Sequence, residues 1–450
     1  MPRLLALVLG LLALRWGLLA FDRTDLFVDE AQYWLWAQVP DLGYYSKPPL
    51  IAWVIGVVTA VFGDGIMAIR LPGAFLHGVT ALILAATAAR RFGAQAAWAT
   101  GAVYVLAPFV AVGSLMMSTD TVMLPLLAAA LYCHTRLLES RAWPWALACG
   151  LALGAAALGK YAALYGLAAF LLANVFPASR IGWRASLVMV LATLAALAPN
   201  LWWNAANHFA TISHTGDNIG WVKGKDEGGG LAKVAEFLAS QFVVFGPVSM
   251  GAMLVSRRAP RDLLLFAALP LVLVTGQAFM GKAYANWALA AFVPGSLLAG
   301  MVLADRTLWR RLGMGLGLAF ALALPVLTLV PDWAPFGRPL LERYLGRADL
   351  SRQIIGLAQG LPVVADNRDI LADLFYTGRG AVTAYAAPQP APRNFYEQKH
   401  SLPQGLTEVL YIGDLPPGCQ AQSSLALKGQ GVWAARPLVA HRIKPACLFP

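Results

Sequence analysis

The sequence predicts an α-helical polytopic membrane protein with a small α/β domain at its C-terminal end. Three observations predict it. Of the 450 residues, 59% are hydrophobic and only 13% are charged, against about 25% charged in a typical soluble domain. Mean hydropathy is +0.62, gathered into long apolar runs of the kind that cross a bilayer. Hydrophobicity falls after residue 331, where proline and polar residues increase.

The apolar runs lie at 4–21, 49–62, 69–89, 96–113, 120–138, 143–159, 161–177, 185–203, 232–255, 262–280, 285–303 and 312–330. The second is only 14 residues long and ends at Gly63-Asp64-Gly65. A helix needs about 20 residues to cross the hydrocarbon core, so this run is read as interfacial. About eleven transmembrane helices remain. Alternate loops then carry arginine: Arg90 and Arg91; Arg136 and Arg141; Arg180 and Arg184; Arg257, Arg258 and Arg261; Arg306, Arg310 and Arg311. Arg3 precedes the first span on the same side. The positive-inside rule makes that side cytoplasmic. The opposite loops, above all 22–68 and 204–231, and the C-terminal part are then periplasmic. The 4–21 run is longer than a signal-peptide core and no A-x-A site follows, so it is read as a retained span. Arg15, inside it, is expected to snorkel outward.

The net charge of +11 is thereby explained by topology. No basic, aromatic-interleaved soluble face suggests nucleic acid. Cys133 and Cys149 lie in apolar runs, and no CxxC or Cys/His cluster points to a metal. Cys419 and Cys447 lie in the polar C-terminal part, where an oxidising compartment would let them pair.

The chain divides into a membrane part, 1–331, which includes the outer loop 22–68 with its interfacial helices, and a soluble part, 332–450. In the latter, 361–366 and 408–413 read as buried strands and 351–359 and 369–376 as helices. The 387–394 stretch is a proline-rich loop.

Polar chemistry gathers in the outer loops. Asp29 and Glu30 open a segment with Tyr33, Trp34 and Trp36 at helical spacing. This pattern fits an interfacial helix with its aromatic rings at headgroup level. Acids also favour a helix N-terminus, so the pair is either a cap or catalytic. Tyr45-Ser46-Lys47-Pro48-Pro49 holds a lysine just before two prolines that keep the chain extended. Arg70, Asp120, Lys160 and Lys282 each stand at the end of an apolar run. Singly, each is an ordinary helix-end charge. Together they offer cations for a phosphate leaving group and acids for glycosyl transfer. Trp202, Trp203 and Asn204 are suited to stacking on and bonding a sugar, although a tryptophan pair also suits an aromatic belt.

The ordered segments DEAQYWLWAQ, YYSKPPLIAW, AIRLPG, STD, LGKYAALYG, PNLWWNAANH and GKAYANW resemble glycosyltransferase family 39. This is the protein O-mannosyltransferase-like group of the GT-C superfamily, which includes the lipid A aminoarabinose and galacturonic-acid transferases. The likeness covers roughly 20–305 and weakens in the tail. It implies a GT-C fold, a polyprenyl-phosphate sugar donor and inversion at the anomeric carbon. It also implies that Asp29, with Glu30 and Asp120, is catalytic, and that Lys47, Arg70, Lys160 and Lys282 contact donor phosphate. Tyr45, Trp202, Trp203 and Asn204 are the expected sugar or acceptor contacts. No late loop is long enough for the repeat domain of eukaryotic protein mannosyltransferases. The expected acceptor is therefore lipid A, lipopolysaccharide or another envelope glycan, reached at the periplasmic face of a bacterial inner membrane. Membrane lipids are the remaining partners, and no cofactor or metal is assigned.

Two other readings remain. A transporter or flippase for a lipid-linked saccharide would place polar residues at the midplane, often within inverted repeats. A protein O-glycosyltransferase would share the donor but not the acceptor.

Overall fold

The computed structural model describes residues 1–218, 228–436 and 438–449. Positions 219–227 of the expected 204–231 outer loop lie outside the described residues. The chain divides into two compact units. The first comprises Met1–Ala20, Lys47–Val54 and Arg70–Pro325, and the second Phe21–Ser46, Ile55–Ile69 and Val326–Pro450. The first-loop segments thus group with the C-terminal residues, whereas a division at 331 keeps all of 22–68 with the helices.

Among the described residues, seven helices are long and apolar enough to cross a membrane: Pro2–Leu19, Ile66–Phe92, Thr119–Ser140, Trp183–Ala206, Arg261–Met280, Ala285–Ala304 and Thr307–Leu327. An eighth crossing would be Leu231–Phe245 with Pro247–Leu254, a pair bent by 111°. Gly246 between them has φ +88°, and Pro247 offers no N–H to continue the first helix. Three further runs read as spans form shorter or broken helices: Trp143–Gly159, Tyr161–Val175, and Ala94–Val105 with Pro108–Gly113. Leu50–Phe62, read as too short to cross, is a 13-residue helix.

Small residues let helices of the first unit approach closely. A Cβ on Gly150 would lie 2.3 Å from Met189 O, and one on Gly154 would lie 2.7 Å from Thr193 O. Thr193 Oγ1 donates to Gly150 O at 3.1 Å across the same contact. Arg15 corrects the snorkelling expectation. It shares the buried face of its helix with Leu4, Val8, Leu11 and Leu19 and is only 2% exposed. A stripe at this spacing turns every member inward, including the cation.

The second unit is built on a five-stranded sheet: β1 (Val363–Ala365), β2 (Ala384–Ala386), β3 (Val409–Ile412), β4 (Ala421–Leu427) and β5 (Leu438–Ile443). The order is β2-β1-β3-β5-β4. β1 pairs in parallel with β2 and β3, while β5 runs antiparallel to β3 and β4. β1 and β3, both expected, are buried along their full length, which gives continuous apolar runs. Helices Arg347–Ala358 and Arg368–Thr377 match the two expected ones. Cys419 and Cys447 form a disulfide with Cα atoms 5.2 Å apart.

Candidate active site

In the second unit, Asp29 is carried by the Val28–Gln38 helix. Glu30 is fully buried, and its Oε2 accepts a hydrogen bond from Phe27 N at 3.0 Å. This is the third helical residue reaching back to cap the chain entry. Asp29, one residue earlier, points elsewhere and keeps a half-exposed side chain. The Arg368 guanidinium binds it through Nη2. Arg368 Nε donates to Gln32 Oε1 at 2.9 Å, so one guanidinium spans the first turn of the helix. Burial opposes the charge on Arg368, but Asp29 beside it more than compensates, and the pKa rises above the usual arginine value.

Arg368 was not among the residues singled out from sequence, yet it left a signal. Asn367 caps the helix through a 2.8 Å bond from Asp369 N, placing Arg368 in the first turn. A cation there opposes the helix dipole, so its position calls for a nearby anion.

The aromatic residues of the same helix correct the interfacial expectation. Tyr33, Trp34 and Trp36 are 3%, 4% and 1% exposed, so they meet protein rather than headgroups. Trp36 stacks on Tyr44 with centroids 4.6 Å apart and meets Phe395 edge-on. Trp34 Nε1 donates to Asp64 Oδ1 at 2.7 Å, and Arg379 lies over its ring. Periodicity marks an apolar face and cannot say whether lipid or protein covers it. Burial pushes the Tyr44 hydroxyl up to about 12. Tyr45 is half-buried, and its hydroxyl donates to Pro392 O at 3.1 Å.

In the first unit, Asp120 opens the Thr119–Ser140 helix, whose N-cap is Ser118. Lys160 sits just past the end of the Trp143–Gly159 helix in an extended conformation. Its Nζ lies 2.8 Å from both Asp120 oxygens, and Asn286 Nδ2 donates to Oδ2 at 3.2 Å. The expected acid and phosphate-binding cation are therefore joined, with side chains only 7% and 18% exposed. Beside Lys160, Tyr161 donates to Asn200 Oδ1 at 2.7 Å and accepts from Asn204 Nδ2 at 3.2 Å. Asn200 and Asn204 are fully buried and Trp203 is 5% exposed, whereas Trp202 is 68% exposed. Arg70 is buried, and Lys47 and Lys282 are half-buried. Lys282 Nζ stands 4.8 Å from the Tyr284 ring centroid.

The fold is shared with two solved structures. It matches the crystal structure of ArnT from Cupriavidus metallidurans bound to undecaprenyl phosphate, with TM-score 0.67 and 17% identity, covering 99% of both chains. The apo form of the same enzyme matches with TM-score 0.63 and 16% identity, over 99% of this chain and 98% of ArnT. The family model for dolichyl-phosphate-mannose-protein mannosyltransferases matches residues 46–203. Over nearly the whole length, the lipid A galacturonosyltransferase RgtD of Rhizobium johnstonii is 40% identical, covering 99% of each chain. The chain belongs to this family of GT-C glycosyltransferases and is a multi-span membrane enzyme.

Proposed function

We propose that this enzyme transfers a sugar, with galacturonic acid the first candidate, from a polyprenyl-phosphate donor to lipid A at the periplasmic face of a bacterial inner membrane. The observation that carries the reading is the 40% identity to RgtD across 99% of both chains. The fold shared with an enzyme crystallised on undecaprenyl phosphate supports the donor class. The Cys419–Cys447 disulfide supports an oxidising compartment for the C-terminal part, and the arginine bias of the opposite loops agrees.

In this reading, an acceptor hydroxyl attacks the anomeric carbon as the bond to the phosphate oxygen breaks. The hydroxyl proton passes to Asp29, and polyprenyl phosphate leaves. Inversion follows from a single displacement. Asp29 suits the base because its carboxylate is half-exposed and oriented by Arg368, while Glu30 is committed to the helix cap. Lys47, Arg70 and Lys282 are assigned to the donor phosphate. Lys160 joins them through a geometry fixed by Asp120, which makes Asp120 a positioning residue. Tyr45 and Trp202 are assigned to sugar or acceptor. Trp203 and Asn204, buried in the helix core, hold the scaffold around Tyr161.

The test is transfer by purified protein in lipid nanodiscs. Polyprenyl-phosphate galacturonate and aminoarabinose are offered separately with lipid A, a lipid-free glycan and a peptide acceptor. Galacturonate appearing on lipid A supports the proposal. Transfer to the peptide alone overturns the acceptor, and no transfer from any polyprenyl-phosphate sugar overturns the donor.

A further inference from the structure

The bend at Gly246-Pro247 opens two apolar cavities in the helical unit. The first, of about 340 Å³, is lined among others by Leu106, Phe242, Phe245, Gly313 and Phe320, with Arg310 in its wall. The second, of about 420 Å³, is lined by Gly251, Val255 and Val302, with Arg306 and Trp309 in its wall. Pro247, Val248 and Leu303 belong to both, so the cavities are neighbours divided by these side chains. Each volume lies in the range of roughly 300–1,000 Å³ typical of ligand pockets.

The polar groups at this place are concentrated in one turn. Arg306 and Arg310 stand one helical turn apart where the Thr307–Leu327 helix begins, so they are neighbours on one face. Arg310 Nη1 donates to Leu303 O at 3.0 Å and also to Ala304 O, which fixes the guanidinium at the end of the preceding helix. Arg311 follows, and Asp305 is the one acid in the 305–311 stretch. Arg257 and Arg258 are exposed two and three residues beyond Val255, which lines the second cavity. Trp309, 53% exposed, is of the type that anchors at headgroup level.

We propose that this is a binding site for an anionic diacyl glycerophospholipid. One acyl chain enters each cavity, on either side of Val248 and Leu303, and the phosphate lies against Arg306 and Arg310. Two adjoining apolar cavities suit a two-chain lipid better than a single polyprenyl chain. The arginine excess selects an anionic headgroup, since basic pockets between transmembrane helices recognise such lipids. The site is independent of the sugar donor and acceptor and uses none of the residues assigned to transfer.

Full-length protein in neutral detergent is exchanged into equimolar phosphatidylglycerol and phosphatidylcholine, and retained lipid is measured by native mass spectrometry. Phosphatidylglycerol should be preferred by about fivefold for each contributing arginine. Arg306→Gln should lower that preference about fivefold while glycosyl transfer and thermal unfolding stay unchanged. Arg310→Gln bears a second risk, loss of the helix-end contact, so Arg306→Gln and the wild-type lipid comparison decide the matter. Val248→Trp, which enlarges the dividing wall, should reduce retention of both lipids. Equal retention of the two lipids by wild-type protein, an unchanged preference in Arg306→Gln, or full displacement by equimolar undecaprenyl phosphate would each overturn the proposal.

Discussion

Arg368 binds Asp29 and Gln32 with one guanidinium, its Nε lying 2.9 Å from Gln32 Oε1. The residue proposed as base is thus held by a cation from a segment more than three hundred residues away in sequence. A neighbouring cation favours the ionised carboxylate, and bonds to Asp29 and Gln32 together fix its orientation. Arg368→Gln removes the charge. Carboxylate protonation then competes at higher pH, so the acid limb of the turnover profile should move upward. Arg368→Lys should recover the limb only in part, because a lysine cannot reproduce the planar fork. Single-turnover rates from pH 4.5 to 8 check this, and an unmoved limb in Arg368→Gln would refute the pairing as functional.

Glu30 is expected to behave as a structural acid. Glu30→Gln keeps an acceptor for Phe27 N and should retain turnover within a few-fold. Glu30→Ala leaves that N–H uncapped and should cost about 1 kcal/mol of stability. If Glu30→Gln loses turnover as fully as Asp29→Asn while unfolding at the wild-type temperature, Glu30 belongs to the chemistry.

Asp120 and Lys160 form a nearly buried pair, and removing one partner strands the other. Either Asp120→Asn or Lys160→Met alone should destabilise by up to about 3–5 kcal/mol, with the double variant losing less than the sum. Thermal unfolding of the four proteins gives the coupling, and strict additivity would show that the contact carries no energy.

Three carboxyls should stabilise the second unit toward acid, whereas His400, whose pKa burial lowers, acts in the opposite direction, so His400→Gln isolates their effect. Burial is the largest cause raising the carboxyl pKa of Asp25, Asp366 and Asp373. A folded-state pKa above the unfolded value means that the folded form holds its proton longer. Stability contributed in this way is present below the unfolded pKa and is lost as pH rises through the folded one. Hydrogen exchange of β1 and β3 amides in His400→Gln, corrected for intrinsic rates, should show more protection at pH 4 than at pH 7.5. Asp373→Asn mimics the protonated form, so it should raise protection at pH 7.5 and shrink the difference. Greater protection at pH 7.5 than at pH 4 in His400→Gln would contradict this.

Much of this was legible in the sequence because membrane helices and caps are local. The twelve apolar runs all form helices, and Glu30 takes the cap role that the sequence offered for the Asp29-Glu30 pair. How many cross by length was less legible, since Pro108 and Pro247 break two runs at backbone positions that hydropathy averages over. Strands β2, β4 and β5 were missed; β4 is exposed at six of its seven positions and has no buried face to give an alternating signal. The Asp29–Arg368 pair was missed for a different reason. It joins the first turns of two helices more than three hundred residues apart, and neither periodicity nor motif spacing records such a contact. Trp34 and Trp36 show the same limit, because a buried aromatic and a headgroup aromatic look alike in sequence.

Mechanism separates Asp29 from Lys47. The acceptor hydroxyl must lose its proton as the new C–O bond forms, and a base that accepts it acts in the transition state. The leaving phosphate is charged in the bound donor as well as in the transition state, so a lysine against it acts on both. Asp29→Asn preserves shape and should leave donor binding unchanged while lowering turnover about 10²–10⁴-fold, the usual range for a positioned base. Lys47→Ala should weaken donor binding and also slow transfer. Equilibrium binding of a polyprenyl-phosphate donor and single-turnover rates, measured on both variants and on Lys282→Ala, give the comparison. Lys282→Ala should follow the Lys47→Ala pattern if both cations contact phosphate. Should folded Asp29→Asn turn over at a near-wild-type rate, the base is another residue. Asp120, held by Lys160 and Asn286, would then have to be tested in its place.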